Sequence, residues 1–360
     1  MTSIILFLVV LTLLVLVHEA GHFFTALWTG MKVEEFGVGF PPRAASIVRR
    51  GIRYSLNWIP IGGFVKIKGE TGEDRSDTTA FVSKAPWKRL LVLSAGVIMN
   101  MVLAVVLLSF GFLFGMPQAI DETLSPAATV REESVYFYTV LEGSPAGEAG
   151  LALGDQLVSI DDQQITTAEE AQAYIRSHEE VEMQFVIERE GERFTYSLAS
   201  APLEAIEGEK GIGVGMVSSG IVSYPWYLAP VKGIEATASF TSQMIVALVD
   251  ILRNLVVEQR VGVELSGPVG IAVMTGQVAD MGFAYLIQFA AILSINLAII
   301  NFIPFPALDG GRALFVVVEK LRGKPVSAKA ETIAHNIGFA LLMILILGVT
   351  FKDVIGLVTQ

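Results

Sequence analysis

The chain of 360 residues is 52% hydrophobic and 17% charged, with a mean hydropathy of +0.59. That composition excludes an ordinary water-soluble globule and points to a polytopic membrane protein. It has no cysteine, so disulfides and thiolate chemistry are excluded and any bound metal must use His, Asp or Glu. The formal charge of -11 argues against nucleic acid as a partner, because phosphate recognition needs a basic face.

The first apolar stretch, residues 4–27, has the length of a spanning helix. It has no Lys or Arg ahead of it, is too long for a signal segment and is followed by no small-residue cleavage site, so it is read as a retained span. Inside it lies "LVLVHEAGHFF". Three ionisable side chains in hydrocarbon are costly and are usually kept for function. HExxH on a helix sets His18 and His22 one turn apart on one face, where both imidazoles can reach one ion. Glu19, beside that face, can take a proton from a water that the ion has activated. Ala20 and Gly21 allow another helix to approach closely. A chance pentapeptide would leave Glu19 and two histidines buried and unpaired, and a metal satisfies all three.

Residues 29–90 alternate short apolar and aromatic runs with Gly and Pro, the pattern of strands and turns. Their apolar members, Phe36, Val38, Phe40, Trp58, Ile59 and Ile61, suggest hairpins against the membrane domain, near a wet cavity. A second span follows at 91–116. Basic residues exceed acidic ones between 29 and 89, whereas 117–282 is strongly acidic. By the positive-inside rule the former is cytoplasmic and the latter exterior.

Within the exterior segment, "SPA", "AGL" and "GD" at 144–155 resemble PDZ domains of the bacterial protease type. A helix at 168–177 and strands at 183–188 and 194–198 are expected after them, and the stretch has the size of one small domain. Such domains add a peptide strand to a sheet edge, so a peptide ligand is the implied partner, with a passive lid as the alternative. Residues 226–257 are amphipathic, interrupted by Lys232, Glu235, Asp250 and Arg253, and are placed along an interface as a cover for the active-site entrance, with a fifth span as the alternative.

The third span, 283–303, runs into "NFIPFPALDGGR". Pro304 and Pro306 stop its regular continuation. Two histidines leave a catalytic zinc one protein ligand short, and Asp309 is the candidate, although "LDGG" alone is more often a turn or a helix cap. Of the other histidines, His178 sits in a charged run and His335, heading the last span at 337–357, is placed at an interface. Both chain ends then fall outside.

Together "HEAGH", "NFIPFPALDGGR", "IPIGGFVKI", "AGVIMN" and "GPVGIA" resemble the site-2 protease family of intramembrane metalloproteases over nearly the whole chain, and its regulator-of-sigma-E branch in a single-PDZ form in particular. The resemblance implies a polytopic α-helical membrane protein of four spans, with a membrane-associated β region and an inserted PDZ domain. Its segments are 1–28 (first span), 29–90 (β region), 91–116 (second span), 121–220 (PDZ), 224–282 (amphipathic), 283–311 (third span), 312–336 (cytoplasmic) and 337–357 (fourth span).

It also implies a bacterial inner membrane location and zinc held by His18, His22 and Asp309, with Glu19 as acid and base. Asn301, Pro304 and Pro306 would line the site. The strand Phe36, Gly37, Val38, Gly39 and Phe40 would be a membrane-reentrant edge pairing with an unwound transmembrane substrate, such as an anti-sigma factor or remnant signal peptide. Members with two tandem PDZ domains gate by size, and one PDZ domain cannot do so unchanged. The competing readings are a membrane-anchored zincin with a Glu third ligand and a non-catalytic PDZ scaffold.

Overall fold

A computed structural model describes residues 2–72, 74–121, 124–141, 143–179, 181–189, 191–203, 210–257 and 266–359. The chain forms two compact units, one of residues 1–110 and 230–360, the other of residues 111–229.

In the first unit, α1 (Thr2–Trp28) is apolar on all sides except at the HExxH turn. Its 27 residues extend about 40 Å at 1.5 Å per residue, enough to cross hydrocarbon about 30 Å thick. It lies antiparallel to α2 (Pro86–Phe114). Gly21 permits this: a side chain there would strike the carbonyl of Ala95. Farther along, Val10 and Leu14 pack with Leu103 and Leu107 of α2 and with Ala290.

Between these helices lie β1 (Val33–Arg49) and β2 (Ile52–Ile67). Each folds back on itself, because the first half of β1 has partners on both flanks. Phe36 pairs with Val65 and with Tyr54, and Gly37 with Phe64 and with Ser55, while 43–49 pairs only with 52–57. The two long strands therefore make a four-stranded mixed sheet, parallel where 35–38 meets 53–56 and antiparallel at its other two pairings. Its outer strands are 63–67 and 43–49. Asn57 pins the bend, donating to the carbonyls of Val38 (3.2 Å) and Gly39 (3.0 Å), where Gly39 takes φ +75°. The sheet rests on Phe23, Ala26, Phe81, Val92 and Leu93, with Val316 closing the cluster.

The second unit is an antiparallel sheet built from β3 (Met116–Ala119), β4 (Thr129–Val140), β5 (Gln156–Ile160), β6 (Gln163–Gln164), β7 (Met183–Arg189), β8 (Glu192–Leu198) and β11 (Val214–Ser223), with β9 (Ala201–Pro202) and β10 (Lys210–Gly211) a separate pair. The order is β3-β11-β4-β5-β7-β8, with β6 on β5. Alternate residues such as Phe137, Leu157, Phe185 and Ile187 bury one face under α4 (Ala168–Ser177). A capping box of Thr167 and Glu170 starts α4.

The "SPA…AGL…GD" spacing now has a physical cause. Ser144 caps α3 (Pro145–Ala149), Gly150 ends it at φ 88°, and Gly154 turns at φ 92°. Asp155, 1% exposed, accepts from Ala152 N (2.8 Å) and from Arg189 at 2.6 and 2.7 Å. The helix and the two strands expected after it are present.

The first unit continues with α5 (Ala229–Val257), α6 (Pro268–Met281), α7 (Phe283–Phe302), α8 (Asp309–Arg322) and α9 (Ala328–Thr359). Among the described residues, five helices are long and apolar enough to cross a membrane, namely α1, α2, α5, α7 and α9. Four were expected. The additional one, α5, has the lowest hydropathy of the five, 1.2. Its Gly233 packs on Ser109 near the end of α2, and Gly276 of α6 packs on Ser3 at the start of α1. Because α1 and α2 are antiparallel, Gly233 and Gly276 lie at the same end of that pair. The expected amphipathic segment 224–282 includes residues 258–265, which lie outside the described residues.

"GPVG" has a local reason too. Asp353 of α9 accepts the amides of Gly267 (2.9 Å) and Gly270 (2.8 Å), fastening the start of α6.

Candidate metal centre

Four apolar turns into α1 the histidines emerge on one face. His18 Nε2 and His22 Nε2 are 3.1 Å apart, and the side chains are 6% and 8% exposed. Helical spacing accounts for both, since i and i+4 lie one above the other.

The third group arrives from α7. This helix ends at Phe302, with Ile303 already extended, as two prolines require. Leu308 caps α8 and Asp309 is its first residue. Gly310 and Gly311 let α8 lie against the loop it leaves, because a Cβ on either would strike the carbonyls of Ile303 or Phe305. The Asp309 Oδ2 atom thereby sits 2.9 Å from His18 Nε2 and 3.2 Å from His22 Nε2. An ion pair of Arg312 with Glu70 and another of Arg89 with Glu319 (3.0 Å) tie α8 to the β region and to α2.

These three atoms fit a metal. His22 Nδ1 is 2.8 Å from the Val92 carbonyl, which can only accept. Nδ1 therefore carries the proton and Nε2 offers a lone pair. A tetrahedral ion with bonds of about 2.0 to 2.1 Å sets its ligand atoms about 3.3 Å apart, close to the 2.9, 3.1 and 3.2 Å separations here. Lone pairs converging in this way repel unless a proton or a cation lies among them. Two imidazoles and one carboxylate are a set that zinc accepts. Among the described residues, His18, His22 and Asp309 are the group of metal-type ligands, with no glutamate as third member.

The neighbouring helix shapes this pocket. A Cβ on Gly96 of α2 would lie 2.5 Å from His22 Nε2 and 2.6 Å from His18 Nε2. One turn on, Asn100 is fully buried and its Nδ2 is 3.2 Å from His18 Nδ1. Ser294 of α7 bonds the Asn100 carbonyl at 2.8 Å, linking α2 to α7. Glu19 points to the other side, where its Oε2 accepts the backbone N–H of Val65 at 3.0 Å. That amide belongs to the outer strand 63–67. This outer edge of the sheet therefore faces Glu19.

Asn301 and Pro304 line a cavity of about 270 Å³ together with Asp309, Gly310, Ser94 and Val97. Pro306, expected beside them, instead packs against Gly338 of α9. The strand of Phe36, Gly37 and Val38, expected as a free edge, is interior, with partners on both flanks. Phe36 packs edge-on against Phe23 at 5.2 Å. Gly39 lies at the bend, and Phe40 beyond it pairs with Ile59. The fold-back of β2 causes this, because it brings Phe64–Ile67 to the outside. Sequence reading quoted "AGVIMN" without giving its Gly96 and Asn100 a role, and it missed the Val65 amide and Glu70; the small-to-polar i, i+4 spacing of Gly96 and Asn100 was the available signal.

A multi-helix chain of membrane-spanning length, with a His–His–Asp ligand set and a carboxylate at its side, defines a metallopeptidase-type centre. Residues 6–345 match the model of peptidase family M50, and the chain belongs to that family. Among its relatives are zinc metalloprotease RasP of Oceanobacillus iheyensis, 30% identical, covering 98% of this chain and 99% of that protein, and RasP of Geobacillus kaustophilus, 31% identical with 98% and 97% coverage. A Rhizobium meliloti protein described as a candidate zinc metalloprotease is 32% identical over 97% of this chain and 95% of its own. A solved PDZ domain of the SdrC-like protein from Listeria innocua is 25% identical, with a TM-score of 0.21, and covers 23% of this chain and 92% of that one.

Proposed function

We propose that the protein is an intramembrane zinc endopeptidase that hydrolyses peptide bonds in or near transmembrane segments of other membrane proteins. The observation that carries this reading is the meeting of His18, His22 and Asp309 from α1 and α8 within 3.2 Å, with Glu19 on the turn between the histidines. When bound there, zinc supplies a Lewis acid that polarises the scissile carbonyl and lowers the pKa of water to about 7.

The chain's own residues do the rest. His18, His22 and Asp309 hold the ion. Glu19 takes a proton from the attacking water as the new C–O bond forms, and delivers a proton to the leaving nitrogen as the C–N bond breaks. Water is consumed, and a carboxyl and an amine result.

A transmembrane helix hides its carbonyls in its own hydrogen bonds, so the substrate must be extended before attack. The edge strand 63–67 suits that task, because an extended peptide can pair along it beside Glu19. The cavity lined by Asn301 and Pro304 suits the adjoining side chains, and Asn301, whose Nδ2 donates to the Leu297 carbonyl at 3.0 Å, would bond substrate backbone through its Oδ1. The unit of residues 111–229 serves as a PDZ module that receives a peptide. The excess of basic residues in 29–89 favours a cytoplasmic side for that segment in a bacterial inner membrane, and the acidity of 117–282 favours the exterior for that one. The ion pairs of Arg312 with Glu70 and Arg89 with Glu319 favour this arrangement over a crossing α5, which would separate the partners.

The ligand set is tested by the zinc content of Asp309→Ala. Loss of most of the metal is expected. Full retention would remove Asp309 from the site.

A further inference from the structure

His335 lies outside the metal site, on α9, yet it makes a bond that the site's geometry depends on. The loop before α8 closes as a four-residue turn, with Leu308 N donating to Phe305 O at 3.1 Å. Pro306 is its second residue and Ala307 its third, with φ +84°. Turns of this kind put glycine or asparagine at the third position, because a Cβ is disfavoured at positive φ. Ala307 is therefore a strained choice at the point that aims Asp309, two residues on, at the histidines. Strain of that sort persists only where the surroundings hold it.

What holds it comes from α9. The Ala307 N–H donates to His335 Nδ1 at 2.8 Å. Nearly one turn farther, Gly338 is buried against Pro306, and any Cβ there would strike the Pro306 carbonyl and ring. Phe315 of α8 packs on the imidazole, centroids 5.7 Å apart. As an acceptor, Nδ1 must carry the lone pair, so the proton sits on Nε2. Nε2 is buried and has no partner among the described residues. Its ring is thus placed for the one bond it makes.

We infer that His335 is a positioning residue for the metal centre: by accepting the Ala307 amide it holds the 305–308 turn in the form that presents Asp309 to the ion. The inference rests on the reading of Asp309 as a ligand. His335 touches neither substrate nor ion and acts only through the turn.

The test uses the full chain in nanodiscs and two readouts. One is hydrogen exchange at the Ala307 amide in metal-free protein; the other is zinc affinity by chelator competition. His335→Leu should speed the exchange and weaken zinc roughly tenfold or more. His335→Asn, whose Oδ1 falls near the place of Nδ1, should keep both near wild type. Adding Ala307→Gly to His335→Leu should recover much of the zinc affinity, because glycine adopts positive φ freely.

Unchanged exchange and affinity in His335→Leu would overturn the inference. So would equal damage in His335→Asn, which also decides the matter if the leucine variant does not assemble. A wild-type chain that binds no zinc would defeat the metal-site reading instead, while the exchange data would still decide whether His335 holds the turn.

Discussion

Asn100 and His18 meet inside the α1–α2 pair at 3.2 Å, carboxamide nitrogen to imidazole Nδ1. For His18 Nε2 to offer its lone pair to a metal, Nδ1 must carry the proton, and an amide nitrogen cannot accept it. Among the described residues the buried Asn100 Oδ1 atom has no partner. A half-turn of the carboxamide supplies the acceptor and satisfies both groups. Asn100→Leu should therefore lower zinc affinity by about 10- to 100-fold, whereas Asn100→Asp should retain it. Chelator competition on the two variants checks this, and equal affinities would deny Asn100 the role.

Gly96 leaves no space for a methyl group beside the imidazoles, at 2.5 and 2.6 Å from a Cβ to their Nε2 atoms. Gly96→Ala should displace His18 or His22 and abolish stoichiometric zinc while leaving the second unit folded. Metal analysis alongside hydrogen exchange of residues 130–200 separates a local effect from global unfolding.

Val65 offers a sharper separation of binding from chemistry. Its amide points to Glu19 rather than into the ladder with Phe36. Proline is tolerated on an edge strand where the missing N–H was not in the ladder. Val65→Pro is expected to keep full zinc but lose most cleavage, by at least tenfold, because the edge beside Glu19 is blunted. Substitution at Phe36, which is interior, should instead destabilise the sheet. A Val65→Pro enzyme with unimpaired cleavage would place the substrate elsewhere.

In the second unit, burial pushes the Asp155 carboxyl up, but the hydrogen bonds from Arg189 and the Ala152 amide outweigh it and leave it below the ordinary carboxylate range. A depressed folded-state pKa stabilises above the unfolded value of about 3.9 and is lost as pH falls through the lower folded value. Asp155→Asn should thus cost on the order of 2 kcal/mol at neutral pH, reduced by the partial exposure of Arg189. The difference from wild type should shrink below about pH 4. Protection of β5 and β7 amides at pH 7 and pH 3 measures it.

The residues of the candidate metal site were legible because each stands out chemically from its setting. His18, Glu19 and His22 break an apolar run, and Asp309 follows two prolines that stop a helix. The PDZ-like spacing was equally legible, since Ser144, Gly150 and Asp155 each serve a local cap, turn or bond. What was not legible depends on contacts across many residues. The free edge moved from Phe36–Phe40 to Phe64–Ile67 because pairing register is set by how β2 folds back, which alternation alone does not encode. Pro306 and Pro304 look alike in sequence, yet one faces the cavity and the other α9. His335 read as interfacial because its partner is a backbone amide 28 positions away.

We propose that Glu19 acts beside a zinc ion held by His18, His22 and Asp309. Incubating purified wild-type protein and Glu19→Gln, each with its zinc content measured, with a reporter transmembrane helix tests this most directly. The expected result is equal zinc in both proteins and cleavage by wild type alone, with the glutamine variant slower by at least a hundredfold, on the order seen for loss of a general base. Equal cleavage by the two proteins, or none by a fully zinc-loaded wild type, would contradict it.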